Sequence, residues 1–138
     1  MTFIKIKRNP RAFISFDYHH DKASKDLLAG QFRNTSMPVV VEDWSSKKHL
    51  PQREWENLIE SKISGCRMVI VLVGRLTYTA EGVVKEITFA KNQSVPVFGI
   101  YASGAGAFTP LPTGLTRNQM IRWSWDKIKQ AVDNILNN

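Results

Sequence analysis

Cysteine is nearly absent: Cys66 is the only one among 138 residues, so neither an intrachain disulfide nor a Cys-x-x-Cys metal site can form. A reducing, cytoplasmic setting is the expectation that follows. Long apolar runs are missing too. The basic residues Lys5, Lys7, Arg8 and Arg11 are followed only by Ala12 to Phe16, with Ser15 inside the run. That is no signal peptide, and no stretch reaches the roughly 20 apolar residues of a membrane span. Internal repeats and biased segments are absent as well. Acidic residues are the scarcer sign, 12 Asp and Glu against 19 Lys and Arg, for a formal net charge of +7. Such a balance favours an anionic partner, whether nucleic acid, lipid or a phosphorylated small ligand. The basic residues are scattered, however, with short clusters only at Lys5 to Arg11 and at Lys47-Lys48. Neither an RNA-binding aromatic motif nor zinc-finger spacing accompanies them, so nucleic acid and membrane are not the expected partners.

What is present is the composition of an ordinary globular protein, 43% hydrophobic and 22% charged. One domain over 1–138, with its core over about 11–136, is long enough to bury roughly two-thirds of its unfolded surface. The apolar run Arg67-Met-Val-Ile-Val-Leu-Val-Gly74 is β-branched and reads as a strand buried on both faces of a parallel sheet. Arg11 to Phe16, Pro38 to Val41, Val95 to Tyr101 and Met120 to Trp123 give four more strands. Between them lie helical patterns. Asp21 is placed to cap the first, which carries Leu27, Leu28 and Phe32. Pro51 opens the second, Gly65 stops it, and its Trp55, Leu58, Ile59 and Ile63 are assigned to the core. Thr77 or Thr79 is placed to cap the third, with Val83, Ile87 and Ala90 on one stripe, and Ser124 the fourth, with Trp125, Ile128, Val132 and Ile135. Strand and helix alternating in this way predict a single doubly wound α/β domain of flavodoxin-like type, with a five-stranded parallel sheet in the order 2-1-3-4-5.

In that topology ligands bind beyond the carboxyl ends of strands 1 and 3, where the winding reverses. The loops at that edge are Phe16 to Asp21, Glu42 to His49 and Gly74 to Thr79. Glu86 draws notice on spacing alone: at about 100° per residue it falls at the edge of the Val83, Ile87 and Ala90 stripe. A half-buried carboxylate there needs a reason, and a ligand in the adjoining crevice is one; a side chain bending out to water is the other. A phospho-acceptor receiver domain needs an aspartate ending the third strand, where this chain has Val73-Gly74-Arg75. A metal among Asp17, His19, His20, Asp21 and His49 is not expected, since adjacent histidines diverge. Ser15 lacks the Gly-x-Ser-x-Gly elbow of a nucleophile. The Gly-x-Gly within the loop from Ala102 to Asn118 opens no helix and is no dinucleotide fingerprint.

Phe13-Ile-Ser-Phe16 with Asp17-Tyr18, Val39-Val-Val-Glu-Asp-Trp-Ser45, Met68 to Gly74, Thr77-Tyr78, Val83 and Glu86-Ile87 together resemble the TIR-like (Toll/interleukin receptor-like) domain of Thoeris anti-phage ThsB proteins, over residues 11–123. The resemblance implies an enzyme that takes NAD⁺ as substrate, with no further cofactor, and breaks the bond between nicotinamide and ribose. ADP-ribose is then released or cyclised into a diffusible nucleotide signal for a downstream effector, under a phage-derived trigger and with self-association. By similarity Glu86 is the catalytic carboxylate. Ser15, Phe16, Asp17, His19, Trp44, Arg75 and Tyr78 are the substrate-binding candidates, Trp44 and Tyr78 for stacking on a base and Arg75 for the diphosphate. Relatives commonly carry a Ser-x-Trp-Val-x-x-Glu-like segment, matched here by Ala80, Gly82, Val83 and Glu86, so the tryptophan is missing. A TIR-like adaptor or sensor acting through protein–protein contact is the alternative.

Overall fold

The computed structural model describes residues 9–35, 37–42 and 50–138. Five strands, β1 (Arg11–Ser15), β2 (Val40–Glu42), β3 (Met68–Val73), β4 (Val97–Tyr101) and β5 (Met120–Ile121), form one sheet in the order β2-β1-β3-β4-β5. Every neighbouring pair is parallel. Four helices connect and follow them: α1 (Lys22–Arg33), α2 (Gln52–Ser64), α3 (Glu81–Asn92) and α4 (Trp125–Leu136). The flavodoxin-like order expected from the alternation of elements is the order found.

β3 organises the interior because its side chains alternate between two faces and all six are buried. Met68, Ile70 and Leu72 join Leu28, Phe32, Ile128 and Val132 in the layer under α1 and α4. Val69, Val71 and Val73 join Ile59, Ile63, Val83, Ile87 and Ala90 in the layer under α2 and α3. Cys66 belongs to this second layer, and burial pushes its thiol up to about 11. A thiol so seldom ionised is a poor nucleophile at neutral pH.

The local signals mislead at four places. β2 runs Val40–Glu42 rather than from Pro38, because Val40 pairs only once its register meets Arg11, and Val40 on this edge strand stays exposed. Asp21 stands at the cap position of α1 but makes no side-chain cap bond, its carboxylate being taken by Thr77. Neither Thr77 nor Thr79 caps α3: they form a separate 3-10 turn, Thr77–Thr79, and Ala80 precedes the helix. Ser124 likewise precedes α4 without a side-chain bond. Among the described residues no helix is long and apolar enough to cross a membrane.

Candidate functional site

In a parallel sheet all strands point one way, so the loops after β1 and β3 and the first turns of the helices that follow meet at one edge. There a cleft of about 330 Å³ opens between the loop after β1, the start of α2 and the start of α3. Its walls include the aromatic rings of Phe16, Tyr18 and Trp55, the acids Asp17, Glu81 and Glu86, both His19 and His20, and Gly82. That size suits a nucleoside-sized group.

Glu86 is buried, and Ser15 Oγ donates a hydrogen bond to its Oε1 at 2.6 Å. The bond joins the last residue of β1 to the second turn of α3. Ser15 is itself fully buried, so the carboxyl plane is held by a donor with no competing water. Helix α3 is tied in turn to α2, where Lys85 Nζ donates to Glu56 Oε1 at 2.5 Å. The neighbouring residues in sequence, Glu86 and Trp55, face the cleft.

The loop after β1 is built on Asp17. Its Oδ1 accepts the His19 backbone N–H at 3.1 Å, its Oδ2 lies 2.6 Å from His20 Nδ1, and its backbone carbonyl accepts the Asp21 N–H at 2.8 Å. The His19 ring packs edge-on against Tyr18 with centroids 6.1 Å apart.

Behind this loop, Thr77 Oγ1 accepts the Gly74 N–H at 2.7 Å and donates to Asp21 Oδ2 at 2.9 Å, all three being buried. Gly74 has to be glycine for this, since any Cβ would overlap the Asp21 carboxylate. Burial raises the Asp21 carboxyl above its ordinary value of 3.8; the Thr77 hydrogen bond opposes the rise, and the nearby Asp17 charge adds to it. A carboxyl raised on folding contributes stability that is complete below its unfolded value and is lost as pH climbs through the folded one. Asp21→Asn keeps an acceptor for Thr77 and removes that loss. The melting temperature of the variant relative to the parent therefore rises as pH climbs from the ordinary carboxyl value of 3.8 through the raised folded one, and a difference constant with pH would show that Asp21 titrates alike folded and unfolded.

Of the sequence-derived candidates, Phe16, Asp17, His19 and Glu86 line one cleft, with Ser15 bonded behind Glu86. Arg75 and Tyr78 do not line it. Arg75 turns to the next loop, its Nε donating to the Gly104 carbonyl at 3.1 Å, and Tyr78 is exposed on the 3-10 turn. Trp44 lies outside the described residues. Two residues were passed over. Trp55 packs against the layer of Ile59 and Ile63, as its spacing indicates, and it lines the cleft as well. Its place in the first turn of α2 was the available signal, because helix N-termini follow the carboxyl ends of strands. His20 rather than His19 pairs with Asp17. Gly82 lies beside the Trp55 indole: a Cβ there would sit 3.7 Å from its Cη2, an ordinary contact distance.

A family model described as "Thoeris protein ThsB, TIR-like domain" matches residues 13–107, well over half of the chain. No curated protein matches. Among solved structures, a prokaryotic SEFIR domain superposes with a TM-score of 0.57 at 17% identity, covering 91% of this chain and 95% of that one. A 3-dehydroquinate dehydratase-like protein from Bifidobacterium longum gives a TM-score of 0.47 at 13% identity, covering 91% and 94%. The first of these likenesses is one of fold.

Proposed function

Because the chain belongs to the TIR-like domain family of Thoeris ThsB proteins, we propose that its cleft cleaves NAD⁺ between nicotinamide and ribose and yields an ADP-ribose-derived signal, linear or cyclised, for a downstream effector. The observation that carries this reading is the Glu86 carboxyl, buried beside the cleft and held by Ser15. Nicotinamide in NAD⁺ is a cationic leaving group and departs neutral, so no acid is needed. The barrier lies in positive charge developing on the ribose. A carboxylate fixed beforehand at that point stabilises the charge without reorganising. The aromatic walls suit the flat base, whose departure from water they favour.

Trp55 is the ring placed against Gly82, where relatives carry a tryptophan on α3 itself. Trp55→Ala then raises KM for NAD⁺ by about two- to tenfold with kcat nearly unchanged, the worth of one aromatic contact; initial rates against substrate concentration read it out, and an unchanged KM would remove Trp55 from the binding wall. The direct test of the reading itself is release of nicotinamide from NAD⁺ by concentrated or phage-triggered protein.

A second reading, a TIR-like adaptor acting by contact alone, draws on Phe108. This side chain is 99% exposed on a turn closed by Thr109 N–H to the Gly106 carbonyl at 2.9 Å and clasped by Arg117. A rigidly presented aromatic suits a partner's pocket. Intact NAD⁺ under triggering conditions, with salt-sensitive binding of a partner, would favour it.

A further inference from the structure

The Asp17–His20 pair is not explained by cleavage of the glycosidic bond, which needs no acid. Asp17 is buried, while the His20 side chain is about half exposed (51%) and lines the same cleft as Glu86. A carboxylate can only accept hydrogen bonds, so the 2.6 Å contact puts the ring proton on His20 Nδ1. In the neutral ring the lone pair is then on Nε2. The bland explanation is a staple for the loop. Yet the loop is already closed by the His19 and Asp21 backbone N–H groups, both of which Asp17 accepts without the imidazole.

Resting on the NAD⁺ reading above, we infer that His20 is the base for the second half of the reaction and Asp17 its positioning residue. The C1′–N bond breaks with its electron pair going to the base, which converts the pyridinium to neutral nicotinamide. Water oxygen forms the new C1′–O bond, one water O–H breaks, and its proton goes to His20 Nε2 and on to solvent. NAD⁺ and water thus give ADP-ribose, nicotinamide and one proton. A hydroxyl of the substrate itself would lose its proton to the same nitrogen. The charged or titratable neighbours around His20 are Asp17, Tyr18, His19 and Asp21 on its own loop, and Glu81 and Glu86 across the cleft on α3.

The test sets two nucleophiles against each other on one intermediate. An added pyridine carries no proton to lose when it attacks C1′, whereas water does. In His20→Gln the ratio of hydrolysis to pyridine exchange falls about tenfold, toward the low end of what a general base contributes because the ribose cation is reactive without help. A merely structural role would lower both products together, and a constant ratio overturns the inference while leaving the NAD⁺ reading intact. Wild type that releases no nicotinamide overturns both. A readout without turnover is the nitrogen-15 spectrum of the imidazole, with His19→Gln used for assignment. Protonated Nδ1 and bare Nε2 in wild type, mixed in Asp17→Asn, are expected; protonated Nε2 in wild type overturns the inference even if His20→Gln does not fold.

Discussion

Glu86→Gln lowers the rate of nicotinamide release from NAD⁺ by about 10² to 10³, the usual worth of one preorganised electrostatic contact in a transition state. The substitution changes one oxygen for an amide nitrogen and little else. Ser15 Oγ still finds an amide oxygen in place of Oε1, and the packing of Val83 and Ile87 on either side is untouched. What is lost is the negative charge beside the developing ribose cation. KM should therefore move little while kcat falls, the pattern of an interaction made only in the transition state. Circular dichroism and thermal melting serve as the control. A parent-like kcat in a folded Glu86→Gln protein would remove the proposed role.

Thr77→Val is expected to cost about 2 to 6 kcal/mol of stability, although valine matches threonine in shape. One fully buried hydroxyl serves two groups, accepting from Gly74 and donating to Asp21. Valine leaves a backbone N–H and a carboxylate buried without that partner, each at about 1 to 3 kcal/mol. For a chain of this size the melting temperature falls by roughly 6 to 20 °C. In urea the midpoint should drop with the slope unchanged. Thr77→Ser, which keeps the hydroxyl, should restore most of the loss. A Thr77→Val midpoint equal to the parent's would mean that the triad contributes nothing. The same triad joins the turn after β3 to the loop after β1, so the variant also loosens the wall of the cleft that carries Asp17 and His20.

How far the sequence was legible follows from the range of the interactions involved. β3 could be read directly, because a strand buried on both faces leaves no polar position to confuse it, and the alternation of strands and helices led to the sheet order. Glu86 could be isolated by helical spacing, since a carboxylate at the rim of an apolar stripe is a local pattern. Caps were misjudged because Asp21 and Thr77 satisfy one another across the fold, 56 residues apart, and no local rule registers such a bond. Trp55 was legible only in part for a related reason: it packs against the core layer as its spacing indicates, and it also lines the cleft. Helical periodicity groups it with Ile59 and Ile63, but the helix starts at the rim of the sheet, so its first turn faces a crevice while its later turns face the core. The choice between His19 and His20 depended on which ring folds back onto Asp17, and the turn through Asp17 to Asp21 brings the second one there.

Mass spectrometry of the small molecules formed from NAD⁺, by wild-type protein and by Glu86→Gln side by side under triggering conditions, bears most directly on the cleft's chemistry. Nicotinamide together with ADP-ribose or a cyclised isomer of it, from the wild type and only in trace from the variant, is the expected result. NAD⁺ left intact by the wild type, or equal products from both proteins, would contradict a glycosidic cleavage carried by Glu86.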